Sequence, residues 1–305
     1  MSSLPAALTD VILDSKIRFF SDIGLWPRVA ILDHRSWLEN FKGPDEKKMA
    51  QHLLNAFLFF SEELTKQIAT SAVHSVSCDI VISRDDPARA RTEWKDFLDQ
   101  VLIIAVGDKP NAADSGNLFA RYIRDRYQIS EDRVLTAKQA LEQLVSKGPM
   151  PAIFVDDFVG SGEQFTSMWK KIRVTSAWET YESFSNKNLD WTPFYCPAIA
   201  TEFGASIIAS DCPRVKLRAG NTLSAQYNAL DPDSILWPDE LRPKAIDFIK
   251  SVSTRAGIPD SPGDVDDWRG FSNLGLAIAF AHGIPDGTLP IFRWNKNGWR
   301  PLIKK

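Results

Sequence analysis

From residue 78 onward the sequence repeatedly changes its hydrophobic period. Short apolar runs, "CDIVIS", "VLIIAVG", "AIFVDD", "YCPAIATEF" and "ASIIAS", alternate with amphipathic or turn-rich stretches. Between the second and third runs lie two helical segments, "SGNLFARYIRDRY" and "TAKQALEQLVSK", with a short strand expected at Val134 and Leu135. Strands separated by helices are joined by crossovers and run parallel, so the pattern predicts an α/β fold with a parallel sheet flanked by helices. In such sheets ligands bind beyond the carboxyl ends of the strands. Two loops therefore stand out, one after "VLIIAV" and one after "AIFVDD".

The ends of the chain read differently. Residues 5 to 23 and the stretch "PDEKKMAQHLLNAFLFFSEELTKQIATSAV" carry apolar side chains at helical spacing, among them Leu53, Leu54, Phe57, Leu58, Phe60, Leu64 and Ile68. Pro44 with Asp45 and Glu46 suits a helix start. Near the other end, "PDELRPKAIDFIKSVSTRAG" and "FSNLGLAIAFAHG" are candidate helices joined by the turn-rich "IPDSPGDVDDW". Asp260, Asp264, Asp266 and Asp267 in that turn lack calcium-loop spacing and read as a solvated loop. The expected organisation is a helical region 1–75, an α/β core 76–225, and a C-terminal helical extension and tail 226–305.

Composition narrows the function. The chain has 305 residues, 44% hydrophobic and 25% charged, which suits packed domains rather than disorder. With 36 Lys and Arg against 39 Asp and Glu the formal charge is −3, so no direct binding of duplex nucleic acid is expected. Asp10, Asp14 and Lys16 interrupt the N-terminal segment, and no run approaches roughly 18 apolar residues. Neither export nor membrane insertion is expected, and the localisation read from the sequence is cytoplasmic. Cys78, Cys196 and Cys212 are odd in number and unpaired in spacing, as reduced core thiols would be. His34, His52, His74 and His282 form no metal motif.

The two loops carry the chemistry. In "VGDKPNAADSGNLFARY" a strand ends at Gly107, and a helix capped by Asp114 or Ser115 offers free N–H groups to an anion, with Lys109 as a cation nearby. In "AIFVDDFVGSGEQF" an apolar strand delivers Asp156 and Asp157, then Gly160, Ser161 and Gly162 supply a backbone able to fold around an oxyanion. Adjacent carboxylates accept hydrogen bonds from vicinal hydroxyls, and backbone N–H groups with a serine hydroxyl bind phosphate, so one ligand with a polyol and a phosphate satisfies both halves. Direct use of both acids on one cation requires Asp157 to leave the strand, because neighbouring strand residues face opposite ways.

The stretch "FVDDFVGSGEQF" resembles the signature of type I phosphoribosyltransferases: an apolar strand, two acids, a short apolar step, then Ser or Thr and Gly. The resemblance implies that Asp156 and Asp157 contact the ribose hydroxyls of phosphoribosyl pyrophosphate and are the catalytic pair. It also implies that Gly160, Ser161, Gly162, Glu163 and Gln164 hold the 5′-phosphate. Gly107, Asp108, Lys109, Ser115 and Gly116 occupy the place of the family's pyrophosphate loop. Mg²⁺ would arrive with the substrate, with Asp157 as the candidate protein ligand. "WLENF" and the final "HGIPDGTLPIFRWNKNGWRPL" look like the phosphoribosyltransferase-like effectors of bacterial conflict systems, including antiphage operons and some retrons. That likeness implies an effector acting on a nucleotide or ribose phosphate at the anomeric carbon and restrained by a regulatory protein or ribonucleoprotein. Gly160 and Gln164 depart from the signature and favour the alternative of a catalytically inactive sugar-phosphate or nucleotide-binding subunit. Trp294 and Trp299 read as packing anchors, and Pro285, Asp286 and Gly287 as a turn.

Overall fold

The computed structural model describes residues 10–28, 30–107, 115–174 and 178–304. It divides into two compact units, Thr65–Leu223 and a second one that runs to Leu64 and resumes at Ser224. The two terminal regions, expected as separate segments, thus belong to one unit.

In the Thr65–Leu223 unit the sheet strands are β1 (Leu102–Ala105), β2 (Val134–Thr136), β3 (Ala152–Val159), β4 (Phe194–Thr201), β5 (Lys216–Leu217) and β6 (Asn221–Leu223). Its helices after residue 86 are α1 (Pro87–Leu98), α2 (Ser115–Tyr127), α3 (Ala137–Lys147), α4 (Glu163–Lys171), α5 (Tyr181–Lys187) and α6 (Glu202–Asp211). All ladder pairs of this sheet are parallel and the order is β2-β1-β3-β4-β5, with β6 also on β4. β5 and β6 form one edge interrupted opposite Pro197, whose missing N–H removes a ladder donor, while Gly220 still donates to the Pro197 carbonyl at 3.1 Å. On one face Leu102, Ile104, Phe154 and Tyr195 pack under α3, α4, α5 and α6. Helix α2 packs on β1 and β3, and its buried Phe119, Ala120 and Ile123 stand outside that cluster. The sheet is therefore covered on both faces, which explains why its strands are continuous apolar runs.

Capping sets α3. The Thr136 side chain accepts from the Gln139 N–H, and the Gln139 side chain accepts from the Thr136 N–H at 3.0 Å, closing a capping box. Replacing Thr136 with alanine is expected to lower unfolding free energy by ~1 kcal/mol in a urea titration, with serine restoring most of it.

Several expected elements differ. "CDIVIS" is not a strand: Ser77–Ile80 is a helical turn, Ile82 is 87% exposed, and Asp79 pairs with Lys216 and Arg218 instead of joining a ladder. "ASIIAS" lies inside α6, because Thr201 caps that helix by accepting from the Gly204 N–H at 2.9 Å. Cys78 is exposed, whereas Cys196 and Cys212 are buried, and burial pushes the Cys212 thiol up to about 12.

The long helical stretch after Pro44 is broken by a strand, Leu58–Phe60, into helix Gly43–Ala56 of the other unit and helix Glu62–Ser75, most of which belongs to the Thr65–Leu223 unit. That strand pairs in parallel with Ile278–Phe280, so "FSNLGLAIAFAHG" is a 3-10 turn and a strand rather than a helix. Helix Ala245–Ala256 follows the 3-10 turn Arg242–Lys244 and stops at Gly257 with φ +71°. An aromatic core joins both ends of the chain: Trp37 stacks on Phe292, and the indole N–H groups of Trp37 and Trp299 both donate to the Ile291 carbonyl. Trp294 donates to Ala256 from a buried position, as a packing anchor does. Asp286 lies in a turn where Thr288 N–H donates to Pro285. Asp267 corrects the solvated-loop reading, being 0% exposed and clamped by Arg269 and the Ser261 N–H.

Candidate functional site

Strand order decides where a ligand can enter. From β1 the chain crosses to β2 on one side, then to β3 on the other, so the order reverses between β1 and β3. The crevice outside the carboxyl ends of these two strands is the switch point of the sheet, the usual ligand position in a doubly wound fold. Both loops singled out in the sequence leave from these adjacent strands.

At the β1 end the ladder stops at Val106, whose N–H still donates to Val155. Helix α2 returns closely over this point, for a Cβ on Gly116 would lie 2.4 Å from the Val106 carbonyl oxygen. Glycine permits that approach. Asp108, Lys109 and the Ser115 side chain lie outside the described residues, and Gly107 and Gly116 flank the interval.

Strand β3 is longer than its apolar run suggests. Its ladder with β4 continues through Asp156 opposite Pro197 and Val159 opposite Ala200, so both acids are within the strand and Gly160 marks its end. Asp157 has not left the strand and does not cap α4; Gly162 does, with φ +80°. Alternation starts the two side chains on opposite faces, yet the two carboxyls still meet in a side-chain hydrogen bond. Asp156 shares the face of Phe154 and Tyr195 and is 2% exposed, whereas Asp157 is half-buried. The Asp157 N–H donates to Asp156 Oδ1 at 3.0 Å. Asp156 Oδ2 accepts from the Tyr195 hydroxyl at 3.2 Å. Burial, with the Asp157 charge beside it, holds the Asp156 carboxyl well above the ordinary carboxylate range. The Tyr195 hydroxyl is likewise pushed up by burial and by Asp156, so it stays a donor.

After the strand, Gly160-Ser161-Gly162 turns into α4. Ser161 is buried and its Oγ accepts from the Glu163 N–H at 3.3 Å. The Gly160 carbonyl accepts from Thr201 Oγ1 at 2.5 Å, and a Cβ on Gly162 would meet the Gly204 carbonyl oxygen at 2.9 Å. The loop is thus fixed against the start of α6. Glu163 and Gln164 are both exposed, so the Glu163 charge sits toward solvent.

Two supporting residues escaped the sequence reading, Tyr195 and Thr201. Tyr195 carried a signal: a buried tyrosine hydroxyl in an apolar strand needs a hydrogen-bond partner. Among the described residues no group of three or more His, Cys, Asp or Glu is arranged to hold a metal ion, and no helix is long and apolar enough to cross a membrane.

No curated protein and no solved structure matches the chain. The PRTase-CE family model matches residues 34–305, reaching across both compact units rather than the sheet alone. The chain therefore belongs to the PRTase-CE family and carries a phosphoribosyltransferase-like domain.

Proposed function

We propose that the crevice between β1 and β3 binds a ribose phosphate bearing a pyrophosphate at the anomeric carbon, and that the protein acts on that carbon. The carrying observation is that the acid-bearing strand β3 and its loop Gly160 to Gly162 lie beside the end of β1 at the switch point of the sheet. In this reading Asp157 accepts from the ribose hydroxyls, Gly160, Ser161 and Gly162 receive the 5′-phosphate, and the Gly107 to Gly116 loop receives the pyrophosphate. Mg²⁺ comes with the pyrophosphate and would neutralise its charge as the C–O bond to it breaks and a nucleophile bonds to the same carbon. No covalent intermediate on the protein is needed; positioning and electrostatics do the work.

The test is calorimetry with phosphoribosyl pyrophosphate and Mg²⁺, followed by chromatography with added nucleotides and bases. Saturable binding with release of pyrophosphate is expected. Absence of binding sinks the reading. Binding without any product supports the second reading, a binding subunit without turnover, which draws on Gly160 and Gln164 departing from the signature.

The biological role we infer is that of an effector in an antiphage or other conflict system, restrained by a neighbouring protein or ribonucleoprotein. Support comes from the likeness of both chain ends to such effectors and from the family match reaching into those ends. Growth arrest on expression, relieved by Asp157→Asn and by co-expression of the neighbouring genes, is the expected outcome. Unimpaired growth in every case would contradict it.

A further inference from the structure

Asp156 is a poor candidate for a sugar contact on geometry alone. It is 2% exposed, and both carboxylate oxygens are engaged, Oδ1 by the Asp157 N–H and Oδ2 by the Tyr195 hydroxyl. Tyr195 is itself 1% exposed, and its ring stacks on Phe165 with centroids 4.1 Å apart and planes within 12°. Phe165 lies in the first turn of α4, directly after the Gly160 to Gln164 loop. One tyrosine therefore touches both parts of the site: its hydroxyl steadies the acidic strand and its ring steadies the helix that follows the loop. Asp157 is half-buried and the more accessible of the two acids, and its carboxyl lies against that of Asp156.

We propose that the acidic pair is divided in function: Asp156 is a positioning residue locked by Tyr195, and Asp157 is the carboxylate that reads the ribose hydroxyls. The Asp156 Oδ1 bond to the Asp157 N–H fixes the backbone from which the Asp157 side chain projects. The Tyr195 hydroxyl keeps the Asp156 carboxyl turned to make that bond. This assignment rests on the ribose-phosphate reading of the site, and it departs from the simple carry-over in which both acids contact the sugar.

The experiment compares ribose 5-phosphate with 2-deoxyribose 5-phosphate by calorimetry on wild type, Asp156→Asn, Asp157→Asn and Tyr195→Phe, all near-isosteric. A hydrogen bond to a charged group corresponds to a preference of about ten- to a hundredfold for the hydroxylated sugar. Asp157→Asn is expected to erase most of that preference. Asp156→Asn and Tyr195→Phe are expected to weaken both sugars in the same proportion and keep the ratio. A second, ligand-free readout is the stability cycle of Tyr195→Phe and Asp156→Asn in urea, where the double variant should lose less than the two singles together. Loss of the ratio in Asp156→Asn, or strict additivity of the two stability effects, overturns the proposal. If wild type binds neither sugar phosphate, the ribose-phosphate reading falls separately, and the stability cycle alone decides whether Tyr195 positions Asp156.

Discussion

Asp157→Asn is expected to lower kcat/KM toward phosphoribosyl pyrophosphate by about a hundredfold or more while the protein stays folded. Asparagine keeps the shape of the side chain but removes the charge that strengthens hydrogen bonds from sugar hydroxyls. The stability effect has the opposite sign from that of most site substitutions. Asp157's charge is one of the causes holding the buried Asp156 carboxyl above its ordinary range. Removing it makes ionisation of the buried Asp156 less costly, so the midpoint of unfolding above the ordinary carboxylate range should hold or rise. The pH dependence follows. Above the ordinary carboxylate pKa the unfolded chain has released the Asp156 proton, while the folded protein keeps it up to its raised pKa. Folding then binds the extra proton, and stability falls as pH rises through that window; below it the effect is absent. In Asp157→Asn the loss of stability with rising pH above the ordinary carboxylate range should end at a lower pH than in wild type. Rates within threefold of wild type would show that Asp157 does not read the substrate. A fall in activity matched by a fall in stability would make its role structural.

Legibility in the sequence followed the number of physical signals at each place. β3 and its acids were readable because an apolar run, two carboxylates and a glycine turn all agree. Helices α2 and α3 were readable from amphipathic spacing, whereas the Thr136–Gln139 capping box of α3 emerged only in the structure. "ASIIAS" and "FSNLGLAIAFAHG" were misread because a short apolar run suits a strand or a buried helix equally well. What decided them was non-local: Thr201 capping α6 in one case, pairing of Ile278–Phe280 with Leu58–Phe60 in the other. The division of the acidic pair was only half visible. Strand alternation separates neighbouring residues, but nothing local says which face is sealed; that depended on Tyr195, 39 positions away from Asp156.

Gly204→Val is expected to be the most damaging single change at the site, abolishing ligand binding and destabilising the fold. Gly204 lies in the first turn of α6, where Thr201 both accepts its N–H and donates to the Gly160 carbonyl. A Cβ at this position would stand 2.3 Å from the Gly160 oxygen and 2.9 Å from Val159 Cγ1. The nearer atom is backbone, so no side-chain rotation removes the clash; either α6 lifts or the Gly160 to Gly162 loop shifts. Overpacking of this kind costs ~1–3 kcal/mol or more. A displacement near 1 Å in a substrate-positioning loop is worth about a hundredfold in rate. Ala209→Val, on an exposed turn of the same helix, controls for the β-branched residue and should cost only a few tenths of a kcal/mol. Urea titration and phosphoribosyl pyrophosphate calorimetry on both variants separate the effects. Wild-type stability in Gly204→Val would mean that the loop is not pressed against α6. Normal binding in a destabilised Gly204→Val would mean that the phosphate contacts lie elsewhere than Gly160 to Gly162.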